Sequence, residues 1–350
     1  MRIRLALTIS VLALVLRGFS IHAAWADPVA DFYRGKDLRL IIGASVGGGY
    51  DVYARAIAKH LGDHLPGNPT IVPQNMPAGG GLAALNHLYN LADRDGTVIA
   101  VSQNTVPFEP FFGNRQAQFD PVKLNWLGTP NSEVAMYIVW HTSKIQDLHD
   151  AQTREFVAGG AGAGSTPVLY GRIFNEILGM KAHFITGYPG QNEILLAMEN
   201  GEVEAMPSPF WSSLKTSRPR WVPDHLVRVL FQYGLKPHPE LRGIPFALDL
   251  LKSDDDKALL SAASAPLGLG RPFAAPPGVP ADRMAALRTA LMQTFADPAF
   301  LSDCEKARLE CSDAKSGQTI ADLIAQAYAI PSAIKKRLTD IYQLGQGSEK

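Results

Sequence analysis

Leu38-Arg39-Leu40-Ile41-Ile42-Gly43-Ala44-Ser45-Val46-Gly47-Gly48-Gly49-Tyr50-Asp51 is the stretch on which the reading of this chain turns. Its first five residues have strand character, and its glycines lead into an amphipathic helix expected from Val52 to about Leu65. The pattern recurs where Glu155-Phe156-Val157-Ala158 runs into Gly159-Gly160-Ala161-Gly162-Ala163-Gly164-Ser165-Thr166 and a helix through about Leu178. A strand that stops at glycines and restarts as a helix leaves bare N–H groups at the positive end of the helix dipole. A single glycine more often serves a tight turn or close packing. Three before one helix and four before another suggest an anion held from two sides.

The composition narrows the partner. The chain has 350 residues, 46% of them hydrophobic, enough for two compact domains. Lys plus Arg number 33, as do Asp plus Glu, so no net field draws the protein to nucleic acid or to an acidic membrane. A small solute is the expected ligand.

The N-terminus reads as a secretory signal. Arg2 and Arg4 precede an apolar run from Leu5 to Leu16, and Ala24-Trp25-Ala26 precedes Asp27. Cleavage is expected after Ala26. The apolar run stops at Arg17, short of the ~20 residues a membrane span needs. No later segment is long enough to cross a bilayer, so a mature chain soluble outside the cytoplasm is expected. The two cysteines, Cys304 and Cys311, would be free to pair in that compartment. On one continuous helix they would stand ~10 Å apart, so a bond requires the helix to end between them, with a break near Leu309. The spacing leaves both outcomes open.

Along the chain, strand and helix alternate: Leu38 to Ile42, the helix from Val52, Thr70 to Val72, a helix from Gly81 to Leu91, and Thr97 to Val101. A second set follows with Phe156 to Ala158, Thr166 to Leu178, Ala182 to Ile185, a helix from Gln191 to Asn200, and Val203 to Met206. These predict two α/β lobes with parallel pairing. Val134 to Trp140 and Leu226 to Phe231 are strand-like and are expected as segments crossing between the lobes. Pro207 to Pro223 reads as irregular surface chain. In the tail, Pro276 to Pro280 sets up a helix through Arg283 to Phe295, whose Met284, Leu287, Leu291 and Phe295 form one apolar stripe, and another helix runs from about Gln318 to Ala329.

Several catalytic or nucleotide motifs come close and fail. Gly159 to Thr166 has Walker A spacing, but Ser165 stands where lysine is required. Gly79-Gly80-Gly81-Leu82-Ala83-Ala84 fits a relaxed dinucleotide fingerprint, yet Asn75-Met76-Pro77 separates it from its strand. His60 and His64 lie one helical turn apart without an evident third metal ligand, which favours a solvated helix end. Asp51 sits in the first helical turn, where capping is the first expectation and a bond to a ligand hydroxyl or amino group the second. The competing class is an exported hydrolase with Ser165 as nucleophile and His183 as a candidate base. An envelope sensor without a cleft is a third.

Taken in order, Leu38-Arg39-Leu40-Ile41-Ile42, Gly47-Gly48-Gly49-Tyr50-Asp51, Asn75-Met76-Pro77-Ala78-Gly79-Gly80, Asp95-Gly96-Thr97, Gly162-Ala163-Gly164-Ser165 and Thr186-Gly187-Tyr188-Pro189-Gly190 resemble the Bug/TctC family of extracytoplasmic solute receptors serving tripartite tricarboxylate transporters. The likeness runs from about Asp31 to the C-terminal helices. It implies a periplasmic, two-lobed binding protein of type II-like α/β fold, with mostly parallel sheets flanked by helices and an interlobe cleft. Lobe I would span 27–138 and 230–350, and lobe II 139–229. The implied partners are a small organic carboxylate and the membrane permease subunits; no cofactor, metal or nucleic acid is expected, and the protein would be a non-catalytic monomer. By matching, Gly47, Gly48, Gly49, Asp51, Gly162, Gly164, Ser165 and Thr166 would meet the carboxylate, with Tyr188 and Gly190 on a further loop. Two departures touch those loops: Ala44-Ser45-Val46 replaces the usual prolines, and Pro189 stands in place of the lysine after the cleft-loop tyrosine.

Overall fold

Leu38, Leu40, Ile41 and Ile42 are all buried, because the strand they form lies inside a sheet between two parallel neighbours. The computed structural model describes residues 27–162 and 165–346, so the signal segment and Gly164 lie outside the described residues. The chain first lays down β1 (Asp37–Ile42), β2 (Thr70–Asn75), β3 (Val98–Val101) and β4 (Asn125–Thr129). It then crosses to a second sheet made of β5 (Ala135–Trp140), β6 (Phe156–Gly159), β7 (Ala182–Ile185), β8 (Ala205–Met206) and β9 (Val227–Tyr233). Finally β10 (Phe273–Ala275) and β11 (Lys315–Ser316) rejoin the first. The strand orders are β11-β4-β10-β3-β1-β2 and β7-β6-β8-β5-β9, a two-sheet α/β fold flanked by helices.

Both sheets are mixed. β1 pairs in parallel with β2 and β3, and β6 with β7 and β8, whereas β10 is antiparallel to β3 and β4, and β5 to β8 and β9. The segments expected to cross between lobes are therefore sheet strands. β5 and β9 pair from Ala135↔Tyr233 to Trp140↔Val227, and lobe limits drawn at 138 and 229 fall inside them. The physical reason is visible in β5, whose residues Ala135 to Val139 are buried on both faces, the mark of an interior strand. The passages between sheets lie instead at 130–134 and 234–272.

The stretch Pro207 to Pro223 also differs from expectation. It contains a helix, Trp211–Ser217, with Ser212, Ser213 and Leu214 buried. Its prolines flank the helix and none occupies it, so the helical run survives. The tail helix forms as Ala281–Ala296, with Met284, Leu287, Leu291 and Phe295 buried where it packs on the Gly49–His64 helix.

His60 and His64 tie that helix to the tail. His60 Nε2 lies 3.1 Å from Asp303 Oδ2, and His64 Nε2 lies 2.9 Å from Asp297 Oδ2. Bonds from Lys59 and His60 pull the Asp303 carboxyl down to about 2. The Pro298–Lys306 helix stops short of Cys311, and Arg308 turns the chain back with φ 57°. The break brings the Cα atoms of Cys304 and Cys311 to 6.4 Å, and the disulfide forms. Closing so short a loop restricts the unfolded chain by about 2.5 kcal/mol. Reduction should lower the melting temperature by several degrees, whereas a Cys304→Ala/Cys311→Ala variant should melt alike with and without dithiothreitol.

Candidate functional site

Three helices start at the ends of parallel strands without a side-chain cap. They are Gly49–His64 behind Gly48, Thr166–Leu178 behind Ser165, and Gln191–Glu199 behind Gly190. Elsewhere Asp27, Asp147, Ser253, Asp297 and Ser316 each cap a helix with a side-chain oxygen. Helix geometry leaves the N–H groups of Gly49, Tyr50 and Asp51, and of Gln191, Asn192 and Glu193, without an intrahelical acceptor. Thr166 begins its helix ahead of Pro167, which has no N–H to give.

These starts border one cleft of about 540 Å³. Of the residues singled out from the sequence, Gly48, Gly49, Gly162, Ser165, Thr166, Tyr188 and Gly190 line it. The opposed loops approach closely. Asn192 Nδ2 donates to Gly47 O at 3.2 Å, the Thr105 and Thr166 hydroxyls lie 3.1 Å apart, and a Cβ on Gly190 would come within 3.0 Å of Ser45 Oγ.

Gly47 and Asp51 are not in the lining, and the first loop is less bare than its glycines imply. Gly47 N–H donates to Asp51 Oδ2 at 2.9 Å, Gly48 N–H to Ser45 O at 3.3 Å, and Ser165 N–H to Gly162 O at 2.9 Å. Turn formation consumes those donors. The available ones lie one or two residues further on, at the helix starts themselves.

Asp51 is buried, and its Oδ1 also accepts from Arg55 Nε at 2.9 Å and Asn75 Nδ2 at 2.8 Å. Burial alone would raise its pKa, but the bonds from Arg55, Gly47 and Asn75 together hold it below the ordinary value of 3.8. A depressed folded pKa gives stability that is present above 3.8 and lost as the pH falls through the folded value. Asp51→Ala should cost about 2–3 kcal/mol by stranding these donors. Asp51→Asn should flatten the acid limb of a melting-temperature profile relative to the parent.

The cleft also takes residues that no glycine pattern marks. The Tyr50 hydroxyl accepts from Asn104 N–H at 2.9 Å, and burial pushes its pKa up to about 12 against the pull of Arg271. Phe210 and Ser213 enter from the start of the Trp211–Ser217 helix, Glu109 and Asn114 from one short segment, and Tyr342 from the distant C-terminal helix. Behind the wall, Arg271 and Glu133 form an ion pair with 0% exposure on either side chain. Arg271 also donates to Ser212 and Ser213 at 3.1 and 3.0 Å, and its guanidinium lies 3.7 Å from the Tyr53 ring centre. A side chain on Gly49 would displace the Ser213 hydroxyl from Arg271, because a Cβ would sit 2.3 Å from Ser213 Oγ.

Among the described residues, Ser165 and His183 are not brought together. Ser165 Oγ is buried without a partner, and His183 is exposed and lies 3.6 Å from Glu155. Among the described residues, His238, Glu240 and Glu310 have metal-ligand spacing, but Lys215 already bridges both carboxylates at 2.8 and 2.7 Å.

The arrangement can be set beside solved structures. A TctC solute-binding protein from Polaromonas aligns at 18% identity and TM-score 0.62, covering 88% of this chain and 99% of that one. The fold is that of the two-lobed periplasmic binding proteins. The periplasmic binding protein BugD aligns at 16% identity and TM-score 0.68, over 90% and 99% of the two chains. MatC from Rhodopseudomonas palustris, solved with bound malate, aligns at 15% identity and TM-score 0.67, over 88% and 99%. No protein-family profile matches the sequence, and no curated protein matches it.

Proposed function

We propose that this protein is a periplasmic solute-binding receptor of the Bug/TctC type, which captures a small carboxylate between its lobes and hands it to the permease of a tripartite tricarboxylate-type transporter. The observation that carries the reading is the convergence on one cleft of uncapped helix starts from both sheets, each at the end of a parallel strand. A carboxylate there gains several main-chain hydrogen bonds and the favourable ends of the helix dipoles. The bound malate of MatC and the adipate of a second R. palustris protein with this fold support the ligand class.

In this reading Gly49 and Tyr50 hold the ligand from one lobe and Gly162, Ser165, Thr166 and Gly190 from the other, while Gly47 and Asp51 shape the first loop. Tyr188 closes one side. The chain is exported by its N-terminal signal, acts as a monomer and performs no chemistry. Binding across both lobes favours the closed arrangement in proportion to the contacts made only there.

The test is a thermal-shift screen of mono-, di- and tricarboxylates on the mature chain. A ligand at a hundred times its Kd should add about 2.7 kcal/mol of stability. A panel that leaves the melting temperature unmoved would refute the reading.

A further inference from the structure

The wall of the cleft is chemically one-sided. Among the described residues that line it none is Lys, Arg or His, and Glu109 is the one Asp or Glu. Arg271, a cation behind the wall, is already paired with Glu133. Positive potential therefore comes from the helix starts, which suit a single carboxylate.

Glu109 belongs to a different wall. It follows the short turn at Val106–Phe108, and its partners are Asn114 and Tyr342, neither of them on a glycine loop. Asn114 Nδ2 donates to Glu109 Oε2 at 2.8 Å, and the Tyr342 hydroxyl donates to the same oxygen. Burial raises the pKa of this carboxyl, while the two donors favour its ionised form. Both bonds fall on Oε2, so Oε1 is left to accept another.

Resting on the receptor reading above, we propose that the ligand carries one carboxylate, held at the helix starts, and at its far end a hydrogen-bond donor, an ammonium or amide N–H, received by Glu109. A second carboxylate would be desolvated beside a like charge, with no cation in the wall to offset it. Glu109 thus selects against diacids as much as it selects for donors.

The experiment is calorimetric titration of the mature chain near neutral pH with succinate, glutarate and adipate, each beside its ω-amino acid and its monoamide. At the length that fits, the amino acid or monoamide should bind at least about tenfold more tightly than the diacid. Glu109→Gln should reduce that preference to about threefold or less, and Gln116→Lys, which places a cation in the same wall, should turn it toward the diacid. A diacid that binds the parent as well as its partners do, or a preference that survives Glu109→Gln, overturns the proposal. So does binding of other carboxylates with none of this set. A blank result across the whole carboxylate screen instead removes the receptor reading and this inference with it.

Discussion

Replacing Arg271 with leucine should destabilise the protein by about 3–5 kcal/mol, the cost of leaving one member of a buried ion pair charged and alone. Glu133 would keep its bonds from Asn131 Nδ2 at 2.6 Å and Ser212 Oγ at 2.7 Å, but two neutral donors do not balance a desolvated carboxylate. The loss reaches beyond the pair. Ser212 and Ser213 lie on the Trp211–Ser217 helix, Tyr53 on the Gly49–His64 helix, and Glu133 on the first passage between the sheets, so the guanidinium joins all three. Urea unfolding should show the single variant far below the parent, and Arg271→Met/Glu133→Leu should recover a large part of the difference. A single variant within about 1 kcal/mol of the parent would show that the pair behaves like a surface salt bridge.

Gly162→Leu should abolish carboxylate binding, a loss of at least about a hundredfold, or ~2.8 kcal/mol. Stability should move by less than about 1 kcal/mol. Gly162 lines the cleft, and a Cβ built on it meets no atom of the described residues within 4 Å, so the new side chain occupies ligand space without displacing that packed structure. Gly160 provides the contrast. A Cβ there would lie 2.2 Å from Val168 Cγ2, so Gly160→Leu should lower the melting temperature as well as the affinity. Paired melting and titration curves separate the two cases. Unchanged affinity in Gly162→Leu would place the ligand elsewhere.

The local part of the architecture could be read from the chain because it is written in adjacent residues. The run Leu38 to Ile42, the glycines after it and the amphipathic face of the following helix are a continuous signal, and so is the stripe Met284, Leu287, Leu291 and Phe295. What escaped depends on contacts between distant segments. Phe273–Ala275 is three residues long and becomes a strand only because β3 and β4 leave a gap for it. The Trp211–Ser217 helix was hidden among prolines that turn out to bound it. At the site, the glycines located the loops, but the occupation of Gly47, Gly48 and Ser165 by Asp51, Ser45 and Gly162 depends on turn geometry that residue type does not reveal. Glu109 and Tyr342 meet only in the folded chain.

The groups offered to a ligand at the three helix starts bordering the cleft belong to the main chain. Systematic truncation of side chains to alanine would therefore leave every one of them standing, and would report on the surrounding surfaces while passing over the grip itself. Only added bulk, an inserted proline or an amide-to-ester exchange reaches such donors, and affinity for the shared anionic group should drift more slowly across related sequences than preference for whatever is attached to it.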